Sequence, residues 1–197
     1  MDEIVLIGGG GHCKSAIDVI EQENKFRIVG IVDKPELVGS DVLGYPIIAK
    51  DSDLGFLAEK YRYALVTTGQ IKSPVLRRRL FDLAEKAGFF FPVVVSPRAY
   101  VSRYATVGKG TIVMHDAVIA SNASVGVNCI INSKALLEHD SVIGNFCHIA
   151  TASVVNGGVH IKDSSFIGSG SIIKQNVFIG PGSIISMGCH LRKDVNT

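Results

Sequence analysis

Hydrophobic and polar positions follow two different rhythms along this chain. From Val101 onward an aliphatic residue opens every hexad, and a small residue follows four places later. The sixteen openers run from Val101 and Val107 through Ile143 and Ile149 to Ile185 and Leu191, and all are Val, Ile or Leu. The fifth positions, among them Ala105, Cys129, Ser153 and Ser183, hold nothing larger than Val. Self-similarity at a fixed six-residue period predicts a parallel β-helix. A flat side takes about six residues and three sides close a triangular coil. The opener points inward onto the openers of neighbouring coils, and the small fifth residue turns inward near a corner with no room for bulk. Glycines just after the opener (Gly108, Gly126, Gly144, Gly168, Gly180) are expected to supply unusual corner angles. Sixteen hexads give just over five coils, a prism roughly 25 Å tall at ~4.8 Å per coil.

Before residue 97 the pattern alternates between strand and helix periods. An apolar strand is predicted over 4–7, a tight turn at Gly8-Gly9-Gly10-Gly11, and a helix over 12–23 facing inward through Ala16, Ile17, Val19 and Ile20. A second strand over 27–32 ends at Asp33. A loop with Pro35, Gly39 and Gly44 follows, then a short helix near 54–60 and a third strand over 63–67. Ser73 is read as the cap of a helix with Pro74 at its first position, ending at Gly88. A fourth strand covers 89–95. This order predicts a small parallel sheet of Rossmann type. The expected organisation is an α/β Rossmann-like domain over 1–96 and a β-helix over 97–197.

A strand, Gly-x-Gly, a helix, and then an acid closing the next strand form the layout of a dinucleotide site. Amides at the helix N-terminus would cradle a diphosphate and Asp33 would reach a ribose or base. Cys13 stands where the third fingerprint glycine belongs, and a second βαβ half is missing, which argues against an NAD-binding dehydrogenase. The loop is either a turn that starts the helix or a site for a nucleotide diphosphate, with His12 as a further contact.

Composition narrows the partners. Net charge is +2 with 19% charged residues, and the longest basic run is Arg77-Arg78-Arg79. That run is read as a solvated helix face, so no nucleic-acid stripe is expected. The N-terminal Met-Asp-Glu and short strand do not fit a secretory signal, and no apolar run is long enough to cross a membrane. A cytoplasmic protein without membrane insertion is expected. Cys129, Cys147 and Cys189 fall on small inward positions and Cys13 in the glycine loop, so neither disulfides nor a metal site is expected.

The outer surface of a β-helix is mostly small and polar, which makes Glu138-His139-Asp140 conspicuous. A carboxylate beside an imidazole fixes its tautomer and raises its basicity, as a general base requires. His139 is expected just past the middle of a strand face. His148 is expected after a corner half a coil further on, where an imidazole can donate to an oxyanion. His115, His160 and His190 do not recur at the coil period with either, which disfavours a three-histidine zinc site.

Taken with Asn132-Ser133, Glu138-His139-Asp140 and Phe146-Cys147-His148-Ile149, the chain resembles bacterial sugar acetyltransferases with hexapeptide repeats over nearly its full length. These include the sialic acid O-acetyltransferase group and the UDP-4-amino-sugar N-acetyltransferases of bacillosamine synthesis. The resemblance implies a left-handed β-helix, an exception to the right-handed crossover rule. It also implies a homotrimer, acetyl-CoA between neighbouring prisms, and a nucleotide-sugar in the N-terminal domain. By the same resemblance His139 is the general base with Asp140 or Glu138 as its partner, and His148 binds the acetyl carbonyl. Asn132 faces the acceptor sugar, and Gly157 and Ser169 line the CoA arm. Gly10, Gly11, His12 and Asp33 meet the nucleotide-sugar. Lys134 stands where these proteins usually carry a small residue. The expected activity is acetyl-CoA-dependent N-acetylation of a nucleotide-activated amino sugar, UDP-4-amino in type, with no metal. O-acetylation of a sialic or related nonulosonic acid would use the same residues on a hydroxyl. A non-catalytic nucleotide-sugar-binding scaffold is the reading from a different class, and the intact Glu-His-Asp argues against it.

Overall fold

A computed structural model describes residues 1–196; Thr197, the last residue of the expected β-helix, lies outside the described residues. The chain divides into two compact units, Met1–Gly69 with Val75–Val94, and Gln70–Pro74 with the chain from Val95 onward.

The first unit is an open sheet with helices. Its strands are β1 (Asp2–Ile7), β2 (Phe26–Val32), β3 (Asp41–Val42), β4 (Tyr45–Ala49) and β5 (Tyr63–Val66), in the order β3-β4-β2-β1-β5. All neighbours are parallel except the antiparallel β3–β4 pair. Ile4 to Ile7 and Ala64 to Val66 are fully buried, as central strands of a parallel sheet must be. Helix α1 (Gly11–Glu23) buries Ala16, Ile17, Val19 and Ile20 on one stripe, the spacing expected of an amphipathic helix. The others are α2 (Leu54–Ala58) and α3 (Val75–Ala87), the latter starting just after Pro74. Two expectations change. The loop after Asp33 contains strand β4, hidden in the sequence by Gly44 and Pro46. The expected fourth strand reduces to a single bridge between Phe90 and Tyr63, and Val94–Val95 is the first rung of a prism wall.

The second unit is a prism with three walls of six, five and six parallel strands. Each strand is two residues long and ends on a hexad opener; Val118–Ile119 pairs with Leu136–Leu137, which pairs with Val154–Val155. The partners are eighteen residues apart, so three hexads make one coil. Ile119, Leu137, Ile149, Ile167 and Ile173 are wholly buried in the shaft. Four fifth-position serines, Ser153, Ser165, Ser171 and Ser183, are buried with their hydroxyls bonded to carbonyls, whereas the Ser141 hydroxyl is buried without a partner. Ser153 Oγ donates at 2.8 Å to the Ala150 carbonyl and lies 3.0 Å from that of Gly168 in the next coil. This satisfies a polar atom that would otherwise destabilise the core.

Corner glycines work differently from the sequence expectation. Left-handed backbone falls on the fourth hexad position, at Asp116, Asn122, Lys134, Asp140 and Asn176 (φ 58–61°) and at glycines such as Gly158 and Gly170. The glycines after the openers are needed for closeness. A Cβ on Gly126 would lie 2.7 Å from the backbone of Gly144, and one on Gly168 would lie 2.4 Å from that of Met187.

This separates two kinds of glycine by experiment. Gly126→Ala should lower stability by about 1–3 kcal/mol, the range for overpacking a rigid contact. Gly170→Asn should be nearly neutral, because φ is +68°, a conformation Asn tolerates, and nothing lies within 4 Å. Thermal denaturation of both variants checks the contrast; equal losses would refute it.

Candidate active site

Within the first unit a cavity of about 500 Å³ opens at the C-terminal ends of the parallel strands, where α/β sheets present ligand sites. Its lining comes from Gly8 and Gly10 after β1, Asp33 after β2, Asp51 and Ser52 after β4, Thr68 after β5, and Leu76, Arg79 and Leu80 of α3. Each glycine of the loop has its own reason. Gly8 has φ +103° and a Cβ there would sit 2.2 Å from Thr68 Oγ1, while one on Gly9 would press on Asp33 at 3.0 Å. In front of Gly10 and Gly11 there is nothing within 4 Å. The N-cap of α1 is Gly10 and carries no side-chain cap, so the first-turn amides are not taken up by a capping side chain.

Asp33 is held by the loop: its carboxylate accepts the amides of Gly9 and, at 2.7 Å, Lys34. Gly10 and Asp33 line the cavity as expected; Gly11 and His12 do not, and His12 packs half-buried in the first turn of α1 near Gly69. The arginine triplet is not a uniform solvated face. Arg77 is only 1% exposed and donates through Nη1 to the carbonyls of Val66 and Thr68, both at 2.7 Å. Arg79 pairs with Asp51 at 2.9 Å on the cavity rim. Helical periodicity gave no sign of this, because a buried arginine bonded to carbonyls looks like any surface charge in sequence.

In the second unit His139 and Asp140 sit at a corner, not on a strand face, with Asp140 in the left-handed conformation at φ 60°. That turn sets two consecutive side chains side by side. His139 Nδ1 lies 2.7 Å from Asp140 Oδ2. A carboxylate only accepts, so Nδ1 carries the proton and Nε2 of the neutral ring keeps its lone pair. Asn122, one coil earlier, donates to the other oxygen of Asp140 at 2.6 Å. The hydrogen bond to Asp140, joined by the charges of Asp140 and Glu138, holds the His139 pKa above the ordinary histidine value. Hydrogen bonds from Asn122 and then His139 hold the Asp140 carboxyl below its own. Asp140 is therefore the bonded partner, and Glu138 acts through charge. Asn122 was missed in the sequence, although it lies one coil period before Asp140.

His148 lies on the strand that follows the corner at Asn145–Phe146, and it is only 7% exposed. Its Nδ1 lies 2.5 Å from the carbonyl oxygen of Gln70, an acceptor, so this nitrogen bears the proton. Its Nε2 faces the Asn132 amide nitrogen at 3.1 Å, and Asn132 Oδ1 accepts the Ser133 amide at 2.8 Å. Gln70 closes the chain by donating to the Phe146 carbonyl at 2.7 Å. In a neutral ring that proton goes to Gln70, which ties His148 and Asn132 into a buried network. Gly157 lies one coil beyond His139, whereas Ser169 is at the opposite corner of that wall. Among the described residues no group of His, Cys, Asp and Glu could hold a metal ion.

Residues 3–82 match the family model described as the PglD N-terminal domain. A variant of perosamine N-acetyltransferase from Caulobacter crescentus, solved with CoA and GDP-perosamine, is 30% identical, with 99% of this chain and 90% of that one covered and a TM-score of 0.91. The acetyltransferase domain of PglB from Neisseria gonorrhoeae is 26% identical over 100% of this chain and 94% of its own, TM-score 0.91. WeeI from Acinetobacter baumannii is 26% identical over 99% and 93%, TM-score 0.85. No curated protein sequence matches the chain.

The geometry of the corner predicts its titration. The Cε1 proton resonance of His139 should titrate above the ordinary histidine value of about 6.5, and Asp140→Asn should move it down, because the carboxylate favours the imidazolium. An unmoved midpoint in Asp140→Asn would mean that the hydrogen bond does not form in solution.

Proposed function

The chain belongs to the bacterial sugar N-acetyltransferases built on a left-handed β-helix of hexapeptide repeats, and on that premise we propose that it transfers acetyl from acetyl-CoA to an amino group of a nucleotide-activated sugar. The observation that carries this reading is the exposed His139, whose Nδ1–H is held by Asp140 and whose Nε2 is left as a base. The cavity of the first unit supplies a place for the nucleotide. Gly10 and the first-turn amides of α1, including those of Gly11 and His12, suit a diphosphate. Asp33 fixes the loop and keeps lone pairs for a ribose hydroxyl or base N–H. An amine acceptor accords with the perosamine enzyme; nothing at the corner favours a hydroxyl instead.

In the proposed reaction the neutral amine attacks the thioester carbonyl carbon. A C–N bond forms and the carbonyl π pair moves to oxygen. His139 Nε2 takes the proton lost by the amine. Collapse breaks the C–S bond, and the departing thiolate takes that proton from the imidazolium, giving amide and free CoA. Transfer is direct. Cys129 and Cys147 are 0% and 1% exposed in the shaft, and the hydrogen bond to Cys129, with burial, pushes the Cys147 thiol up, so it stays protonated. Asn132 and His148 are assigned the support of this wall, not contact with the acyl group.

The donor is proposed to lie along the wall that leads to the His139 corner. A groove of about 500 Å³ there is lined by Asn156, Ile172, Lys174, His190, Leu191 and Arg192. Its cations suit the phosphates of CoA, while Gly157, next to Asn156, would flank the acyl arm. The same wall exposes Tyr100 (61%) and Ile172 (41%), with Val118, Leu136 and Val154 half-buried between them. This apolar strip supports a homotrimer with prisms side by side, so that acetyl-CoA lies between neighbours. Ile130, on another wall, is fully buried and does not contribute to the strip. On this reading Ser169 meets the donor only from the far corner of the wall. No helix among the described residues is long and apolar enough to cross a membrane. We place the enzyme in the cytoplasm, with a nucleotide-sugar-binding domain over 1–96 and the acetyltransferase domain over 97–197.

Thiol release from acetyl-CoA with UDP- and GDP-linked amino sugars tests the activity. His139→Ala should lower turnover roughly 100- to 10,000-fold with little change in melting temperature; a variant within a few-fold of wild type would remove His139 from the mechanism. Free amino sugar should be a poor acceptor. Asp33→Ala should raise the acceptor KM about ten- to hundredfold and leave that of acetyl-CoA alone. Sedimentation should show a trimer that Leu136→Glu breaks, and a fully active monomer would overturn the trimeric arrangement.

A further inference from the structure

Gly157 occupies a corner whose backbone does not ask for glycine. It is not among the positive-φ positions. The equivalent position in the other coils, at steps of eighteen residues, holds Arg103, Ser121, His139, Gln175 and Lys193, so side chains of every size fit that corner. What distinguishes residue 157 is its neighbour. A Cβ there would lie 2.7 Å from His139 Cε1, 2.8 Å from Nε2 and 3.3 Å from Nδ1. All three atoms belong to the ring, and no backbone atom is that near.

We propose that Gly157 is a positioning residue for His139: the imidazole lies in the space that any side chain at 157 would fill. The inference rests on His139 as the general base. The ring is 67% exposed and its side chain is hydrogen-bonded to Asp140, so an exposed imidazole needs a second constraint to hold one rotamer. The bare backbone of the next coil is that constraint. It supports the ring from one side while Asp140 anchors Nδ1 at the edge. A methyl at 157 pushes the ring off this floor by rotation about its own χ angles, which a solvent-facing side chain does easily. The coil itself therefore survives and the Asp140 bond is what gives way.

Gly157→Ala tests this, with Gly157→Ser, the residue found at 121, as a second variant. The reading is the Cε1–H titration of His139 by NMR without substrates, where the charged groups facing the ring are Asp140 and Glu138. The expected result is an unchanged melting temperature, a His139 midpoint that falls toward the ordinary histidine value, and turnover reduced ~10- to 100-fold, as for a misplaced catalytic group. An unchanged His139 titration in both variants overturns the proposal, even if the rate falls, because the glycine would then serve only to admit the donor. Failure of the base reading is distinguishable: His139→Ala would keep its rate while the Gly157 variants still shifted the titration.

Discussion

Each coil of the prism gives its backbone N–H groups to carbonyls of the coil eighteen residues on, as Val118 does to Ala135 and Ala120 to Leu137 at 2.9 and 2.8 Å. Everything at the His139 corner depends on that register. It stacks openers on openers, so the shaft fills with Val, Ile and Leu, and it stacks corners on corners, so polar side chains one coil apart face each other. Asn122, Asp140 and His139 meet for this reason, although Asn122 is far away along the chain. Slipping the pairing by one residue would turn the shaft residues outward and dissolve the constellation together. Stability and chemistry therefore share one constraint.

The first unit reaches a similar end by another route. Parallel strands deliver their C-terminal ends to one edge, and the loops there supply the cavity. The sites differ in how tightly they are held. Asp33 is clasped by two loop amides and Thr68 by the buried Arg77, through its carbonyl, whereas His139 stands exposed with one bonded partner. A nucleotide needs a preformed cradle of backbone groups. A base that moves a proton needs access, and at this corner access comes with a ring that only its carboxylate and the next coil restrain.

Much of this was legible in the sequence, in proportion to how periodic each feature is. The hexads announced the prism, because an inward opener and a small fifth residue are demanded by the shaft at every side. Glu138-His139-Asp140 was legible as unusual chemistry on a plain surface, though its place at a corner was not, since the phase between strand and corner needs the left-handed fourth position. Features that depend on a single contact were hidden. Strand β4 carries Pro46 behind Gly44; Arg77 is bonded to carbonyls that no spacing reveals; His148 Nδ1 meets the carbonyl of Gln70, which lies far away in sequence. The glycines after the openers answer a need for room, which sequence does not distinguish from a need for positive φ.

The central claim is that coil register, not local sequence, assembles the base. A double-mutant cycle on kcat/KM with Asn122→Ala and Asp140→Asn measures it most directly. Asn122 acts on His139 through Asp140, so Asn122→Ala should lower the rate in the wild-type background and cost almost nothing once Asp140 is Asn. That corresponds to a coupling of about 0.5–3 kcal/mol. Strictly additive effects, or a wild-type rate in Asn122→Ala, would contradict the account.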